Sequence, residues 1–358
     1  MNNHMIQGYV VKGKEVFVGL EDSKKTWKLA VRCDRMLIRQ ASMEARYPVL
    51  LSYLRNNFPE CTINLIYEAG FKGFTLHDRL TEDGITCVVI PPHLVTEPKV
   101  NRVKTDRRDA GRLALILENG DMPSLCCVPD RERREDRQVS RTLIAVVRDI
   151  IRTRNRIHKL LDFHGIGVPF EMKAKWGEKE FGILRELPVS APLRASLDVL
   201  LDLLEHLWRH RETLLAYLKG LCDKERYRKA FAIAESLPGI GWKTAIRFVL
   251  EFGEDFSRFT SGKKIAAFAG LTSREHSTGE TERRGKITGL GQGFIRSTLI
   301  ENSWAAIRKD QALLAKFTRV WRNSGSKKKA IVAVARTLVI RLRACMVSGT
   351  PYATGIVR

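Results

Sequence analysis

Seven residues, Lys104-Thr105-Asp106-Arg107-Arg108-Asp109-Ala110, set two carboxylates three positions apart among bases. Thr105 can cap a helix here, and the apolar positions from Ala110 to Leu117 keep helical spacing up to a stop at Asn119-Gly120. Asp106 and Asp109 then share one face, with Cβ atoms roughly 5–6 Å apart. Two charges about 4 Å apart at an effective dielectric of 20 repel by roughly 4 kcal/mol. A cation between them removes that cost. Acids in a first turn also complement the helix dipole with nothing bound, so the pair alone does not decide between a metal site and a helix end.

The elements before it supply two further acids. The patterns predict strands at Glu15 to Glu21, Thr26 to Cys33 and Met36 to Ser42, then a helix from Met43 to Asn57. A strand from Thr62 to Glu68, a helix from Phe74 to Asp83, a strand from Thr86 to Ile90 and the helix after Thr105 follow. This βββαβαβα order predicts an α/β domain with a mixed sheet and helices on both faces, and it is similar to the ribonuclease H-like order. Glu21 and Glu68 end the first and fourth strands, and ligands of α/β sheets gather at carboxyl ends of strands. Four acids far apart in sequence can therefore meet at one sheet edge. Oxygen donors of this kind suit Mg²⁺ or Mn²⁺, and a metal pair can stabilise both oxygens of an in-line phosphoryl displacement.

Composition narrows the partner. The 358 residues carry a formal net charge of +22, spread over the whole length, which points to polyanions. No apolar run approaches the roughly 20 residues of a membrane-spanning helix, and no signal peptide precedes the first strand. A nucleic-acid-binding protein of the cytoplasm, with no membrane partner, is the expectation. The seven cysteines are odd in number and lack paired C-x-x-C spacing, so they read as reduced thiols. Length suggests two or three domains.

The middle of the chain is helical. Arg131 to Lys159 holds ten basic and four acidic residues, and Arg148, Arg152 and Arg156 repeat every four as a stripe suited either to solvent or to phosphates. A loop is expected around Gly165 to Gly182, then a long helix after Ser190 and Pro192. Its leucines at 193, 197, 200, 204, 207, 214, 218 and 221 form a heptad seam interrupted only by Arg211. That seam can pack within the chain or against another subunit, with a contribution to oligomerisation as the preferred expectation.

The third region opens with Leu237-Pro238-Gly239-Ile240-Gly241-Trp242-Lys243-Thr244, which looks like a helix-hairpin-helix element. Gly239 and Gly241 would let the backbone approach a phosphate, and the helix holding Lys243 and Thr244 would point its N-terminus at the anion. From Ala269 to Gly293, hydroxyls, His276, glycines and the bases Arg274, Arg283, Arg284 and Lys286 alternate without hydrophobic periodicity. Helices are expected from Phe294 to Lys309, Ala312 to Arg322 and Lys327 to Met346.

Taken together, these motifs resemble the insertion-sequence-110 family of transposases over nearly the whole length. Gly19-Leu20-Glu21-Asp22, Tyr67-Glu68-Ala69 and the Asp106/Asp109 segment resemble three motifs of its first domain. Pro238-Gly239-Ile240-Gly241, Gly270-Leu271-Thr272 and Ser277-Thr278-Gly279 resemble marks of its C-terminal domain. The resemblance implies a RuvC-like domain with an Asp-Glu-Asp-Asp metal site (1–130), a helical coiled-coil insertion (131–230) and a C-terminal transposase domain with a nucleophilic serine (231–358). It further implies a DNA recombinase acting on donor and target DNA, guided by a structured RNA from the element, and assembled as a dimer or tetramer. Two positions depart from the family pattern. Glu21 stands where Asp is usual, with Asp22 beside it; neighbours in a strand point to opposite faces, and register favours Glu21. Thr278 holds the place before the glycine, so the nucleophile is Ser277, whose primary hydroxyl is less hindered, or Thr278. Lys104, Arg107, Arg108, Arg274, Arg283, Arg284 and Lys286 would contact phosphates. The alternatives are a RuvC-like nuclease or junction resolvase in which water attacks, and a non-catalytic nucleic-acid-binding protein.

Overall fold

The computed structural model describes residues 4–5, 11–92, 105–121, 125–171, 176–278 and 281–354; for 4–5, 275–278 and 281–284 only the backbone course is described. The chain forms two compact units, residues 1–128 and 129–358.

The first unit is built on β2 (Glu15–Glu21), β3 (Thr26–Cys33), β4 (Met36–Glu44), β5 (Thr62–Glu68) and β6 (Thr86–Ile90), with a two-residue β1 (His4–Met5) at the edge. The strand order β1-β4-β3-β2-β5-β6 puts β2 at the hinge of the sheet: antiparallel to β3, parallel to β5. The even residues Val16, Val18 and Leu20 of β2 pack with α1 (Tyr47–Asn57) and α2 (Thr75–Glu82) through Leu50, Leu54, Leu76 and Leu80. On the other face, Phe17 of β2 and Ile66 of β5 meet Leu113 and Leu117 of α3 (Asp106–Asn119). The mixed sheet with helices on both faces is as expected. The first helix, however, starts at Tyr47 rather than Met43, because β4 continues to Glu44 in register with Thr26.

The second unit begins with α4 (Arg131–Phe163) and α6 (Ala191–Asp223), with the short α5 (Glu178–Glu186) between them inside what the sequence suggests is loop. Leu143 of α4 clusters with Leu215, Leu218 and Leu221, whereas Ile157 and Leu161 cluster with Leu197 and Leu201, so the two helices run antiparallel. The leucine seam of α6 is thus covered by α4 of the same chain. Leu197, Leu204, Leu218 and Leu221 are buried in this packing, whereas Leu193, Leu200, Leu207 and Leu214 are half-buried.

The rest of the unit comprises α7 (Glu225–Glu235), α8 (Trp242–Phe252), α9 (Gly262–Phe268), a hairpin of β7 (Ser273–Thr278) and β8 (Thr281–Ile287), and α10 (Gly293–Lys309), α11 (Gln311–Ser324) and α12 (Lys327–Ser348). The hairpin was not legible as an element in the sequence. Among the described residues no helix is long and apolar enough to cross a membrane.

One buried polar group joins the last helices. Asp310 caps α11, accepting from the Leu313 amide at 2.8 Å, and its other oxygen accepts from Arg341 of α12 at 3.2 Å and from the Tyr352 hydroxyl. Burial pushes this carboxyl up, but the two hydrogen bonds and the guanidinium outweigh it and hold it below its ordinary value. A depressed carboxyl stabilises the fold above its unfolded value of about 3.9, and that stability is lost as pH falls through the folded value. Asp310→Ala should therefore cost about 3–5 kcal/mol at neutral pH. In thermal unfolding the deficit should shrink as the pH falls below the unfolded value of about 3.9 and through the lower folded one.

Candidate catalytic carboxylates and hydroxyl hairpin

The carboxylate site follows from strand register. Leu20 of β2 lies beside Tyr67 of β5, so Glu21 and Glu68 end two parallel neighbours one step later. Alternation sends Phe17, Gly19 and Glu21 to the face that α3 covers, together with Ile66 and Glu68. Asp22 turns the other way, buried near Gly70, with Oδ2 lacking a hydrogen-bond partner. Burial raises the Asp22 carboxyl while the Lys72 charge opposes the rise.

Gly19 sets the height of α3 above the sheet. A Cβ there would fall 2.0 Å from the Ala110 carbonyl oxygen and 2.4 Å from the Ala114 amide nitrogen. Its strand neighbour on β3 is Ala30, which with Ala110 and Ala114 completes a patch of small side chains. The far end of α3 is pinned by Glu118, which accepts from Arg32 Nε at 2.5 Å and from the Arg35 amide at 2.7 Å. Thr105 caps the near end, accepting from the Arg108 amide at 3.4 Å, and Gly120 closes the helix in the left-handed region. The first turn, with Asp106 exposed and Asp109 half-buried, is thereby held over the end of β2.

Glu21 feels the other acids. Burial first, then the charges of Glu68, Asp109, Asp106 and Asp22, raise the Glu21 carboxyl to about 7. An all-oxygen, all-anionic donor set fits a hard divalent cation. Among the described residues, no three acid, histidine or cysteine side chains are close enough to grip one ion as they stand.

The remaining predicted residues divide. Lys104 lies outside the described residues, and Arg107 and Arg108 are exposed beside the acids. On α4, Arg133, Arg137 and Arg141 turn inward to acids of the same unit: Arg133 reaches Glu254 at 3.1 Å, and Arg141 holds buried Glu251 by two bonds of 2.9 Å, with Arg137 3.9 Å away. Arg148, Arg152 and Arg156 are exposed, Arg152 with Asp149 at 2.7 Å.

In the turn between α7 and α8, Gly239 has φ +78°, and a Cβ there would meet the Asn302 carbonyl at 2.5 Å and the Ala306 amide at 2.7 Å. The expectation that Gly239 opens the backbone to a phosphate is corrected on that side: it lets α10 pack close. Gly241 and Lys243 are exposed at the start of α8, with Thr244 half-buried.

Ser277 and Thr278 end β7, paired in register with Glu282 and Thr281; Arg283 stands opposite His276 and Arg284 opposite Glu275, and their side chains lie outside the described part. Arg274 and Lys286 are exposed nearer the hairpin base. That base is held firmly. A Cβ on Gly291 would fall 2.7 Å from the Gly270 nitrogen, and Arg336 donates to the Leu271 carbonyl at 3.0 Å.

Sequence reasoning missed Phe71. Three residues past Glu68, its ring is 66% exposed, with Lys24 and Lys72 ammonium groups 6.0 and 5.8 Å from its centroid. Exposed rings among cations offer a stacking surface for nucleobases. Only exposure reveals it, since a phenylalanine in sequence reads as core.

Two family models match the chain. A family model described as "Transposase" for the DEDD domain of IS110 elements matches residues 16–166, and one described as "Transposase IS116/IS110/IS902 family" matches 232–319. The two matches define the class of protein, a DNA transposase. A protein of Sinorhizobium fredii named "Putative transposase y4rJ" is 29% identical over 91% of this chain and 90% of its own length. Its neighbour "Putative transposase y4qE" is 28% identical over 66% of this chain, which spans 57% of that protein. The pilin gene-inverting protein of Moraxella bovis is 30% identical over 37% of this chain and 41% of its own length. The chain belongs to the IS110 family of transposases.

Gly19→Ala tests the placement of the acids. Forcing a methyl group against two backbone atoms should cost at least about 1–3 kcal/mol by overpacking and displace Asp106 and Asp109. Thermal unfolding should show the loss, and strand cleavage should fall further than the fraction unfolded explains.

Proposed function

We propose that this transposase excises and inserts a mobile element through two chemical centres, the carboxylates of the first unit and a hydroxyl of the β7–β8 hairpin. The observation that carries the reading is the mutual interaction of Glu21 with Glu68, Asp106 and Asp109 on one face of a ribonuclease H-like sheet. The relative in Moraxella bovis, named as a pilin gene-inverting protein, supports it.

Glu21, Glu68, Asp106 and Asp109 would hold Mg²⁺ or Mn²⁺, which when bound supplies Lewis-acid polarisation of a scissile phosphate. Ser277, or Thr278, attacks the phosphorus. A side-chain O–P bond forms, the P–O bond to one DNA strand breaks, and the departing oxygen takes up a proton. The covalent phosphoester splits one difficult step into two and conserves the bond energy for rejoining, so no nucleotide is needed. Lys104, Arg107 and Arg108 would neutralise phosphates at the carboxylates; Arg274, Arg283, Arg284 and Lys286 would do so along the hairpin. The exposed stripe Arg148, Arg152 and Arg156, with Gly241, Lys243 and Thr244, gives further anion-binding surface for DNA or a structured guide RNA. On this reading, residues 1–130 are the RuvC-like domain, 131–230 the helical insertion and 231–358 the transposase domain of a dimer or tetramer acting in the cytoplasm. Such an assembly would bring one subunit's carboxylates beside another's hydroxyl.

The test is to trap a protein–DNA adduct that survives denaturation. Ser277→Ala and Thr278→Ala, made singly, should identify the nucleophile by loss of the adduct. An adduct undiminished in the double variant would remove the covalent step, and cleavage with free ends and no adduct would indicate water as nucleophile. Asp106→Asn with Asp109→Asn should keep DNA binding while strand cleavage falls by roughly 10²-fold or more. Sequencing RNA that copurifies should return one discrete structured species if a guide is used, and random cellular RNA otherwise.

A further inference from the structure

The densest unopposed positive charge in the chain lies beyond every surface described above. Between residues 308 and 329 there are eight basic residues and one acid. That acid, Asp310, is buried and committed to Tyr352, Arg341 and the Leu313 amide. Arg308, Lys309, Arg319 and Arg322 are exposed, as are the three lysines, 327 to 329, that open α12. Among the described residues no carboxylate stands within ion-pair distance of any of them.

The lysine turn is unfavourable to the fold by itself. Cations at a helix N-terminus oppose the dipole, by about 0.3–1 kcal/mol each at low salt. Lys327 is partly compensated, its ammonium 4.9 Å over the ring of Trp321. A cluster with no internal counter-charge is relieved by an external polyanion.

The outer side of α11 carries different chemistry. Gln311, Thr318, Arg319, Arg322 and Asn323 lie at helical spacing along a shallow groove whose middle is lined by Leu314 and Ala315, while Leu313 and Phe317 bury the opposite side. Arginine pairs with guanine, asparagine and glutamine with adenine, and the threonine methyl packs on thymine. The major groove of B-DNA, about 12 Å wide, admits a helix, whereas that of A-form RNA is too deep and narrow for side chains to read. The surface therefore fits duplex DNA better than RNA. The family match ends at residue 319, so Arg322 and the lysine turn lie beyond what that comparison covers.

We propose that α11 and the first turn of α12 form a docking surface for duplex DNA, with α11 in the major groove and lysines 327 to 329 on the flanking phosphates. The test uses the full chain titrated into labelled random-sequence duplex across a salt series. Each lost phosphate contact lowers the slope of log affinity against log salt by about 0.9. The triple variant Lys327→Gln, Lys328→Gln, Lys329→Gln should therefore lower it by about 2.7. A control with the same charge loss, Lys179→Gln, Lys219→Gln, Lys229→Gln, should lower it by less than about 1. All six are exposed, so circular dichroism should be unchanged. Guanine N7 lies in the major groove, and bound protein should shield it from dimethyl sulfate; Arg322→Ala with Asn323→Ala should lose that shielding. Equal slopes for the two triple variants would overturn the proposal, as would unshielded guanines. A larger loss for duplex RNA than for duplex DNA would assign the surface to RNA instead and overturn it too.

Discussion

The contact on which the first unit depends is between two backbones. At Gly19 the central strand β2 offers no side chain, and α3 settles onto it until the Ala110 carbonyl and Ala114 amide occupy the space a methyl group would need. Ala30, Ala110 and Ala114 keep the surroundings equally small. Close packing transmits such distances rigidly, so the first turn of α3 is carried to the end of β2 as a fixed part. Glu118 fixes the other end of the helix through Arg32 and the Arg35 amide. Three separated pieces of sequence are thereby brought to one spot by a glycine, a salt bridge and a helix cap.

That placement sets up an electrostatic conflict. Glu21 is partly out of water beside the carboxylates of Glu68, Asp109, Asp106 and Asp22, and burial first, then their charges, raise it to about 7. Elsewhere the chain treats charge in the opposite way. Glu251, nearly buried, is held by Arg141 with Arg137 close by, and Asp136 accepts from Tyr227 at 2.8 Å and Lys224 at 3.3 Å. Buried acids of the second unit are neutralised within the fold, whereas those at the sheet edge face one another. On the proposed reading, a bound cation relieves this repulsion.

Much of the sheet was legible because strands buried on one or both faces leave periodic or continuous apolar runs. Thr105, Asp106, Asp109 and Gly120 announced their helix by local chemistry alone. Other features left no such trace. Gly19 looks like any glycine in a strand, since the atoms it accommodates lie some ninety residues away. The β7–β8 hairpin is polar along both strands, so it lacks the alternation that exposes a half-buried strand. The leucine seam of α6 was readable but its partner was not, because a heptad states that a surface must be covered and not by which helix. The bases of α4 likewise needed the fold to sort them: Arg133, Arg137 and Arg141 answer acids, and Arg148, Arg152 and Arg156 remain at the surface.

The two signs of charge then take different tasks. A phosphate approaching four carboxylates is repelled unless a cation intervenes, so the carboxylates contribute little to holding DNA in the ground state. Binding must come from the basic surfaces, which neutralise phosphates away from the reacting bond. Interactions distant from the chemistry can be spent on bringing the reacting group into place. This separation explains how a chain with a net charge of +22 tolerates an acidic cluster at a helix end. On the proposed reading, the net positive charge binds the polyanion and the local negative charge selects the cation. On the same reading, the hairpin hydroxyl would supply a nucleophile that the carboxylates cannot.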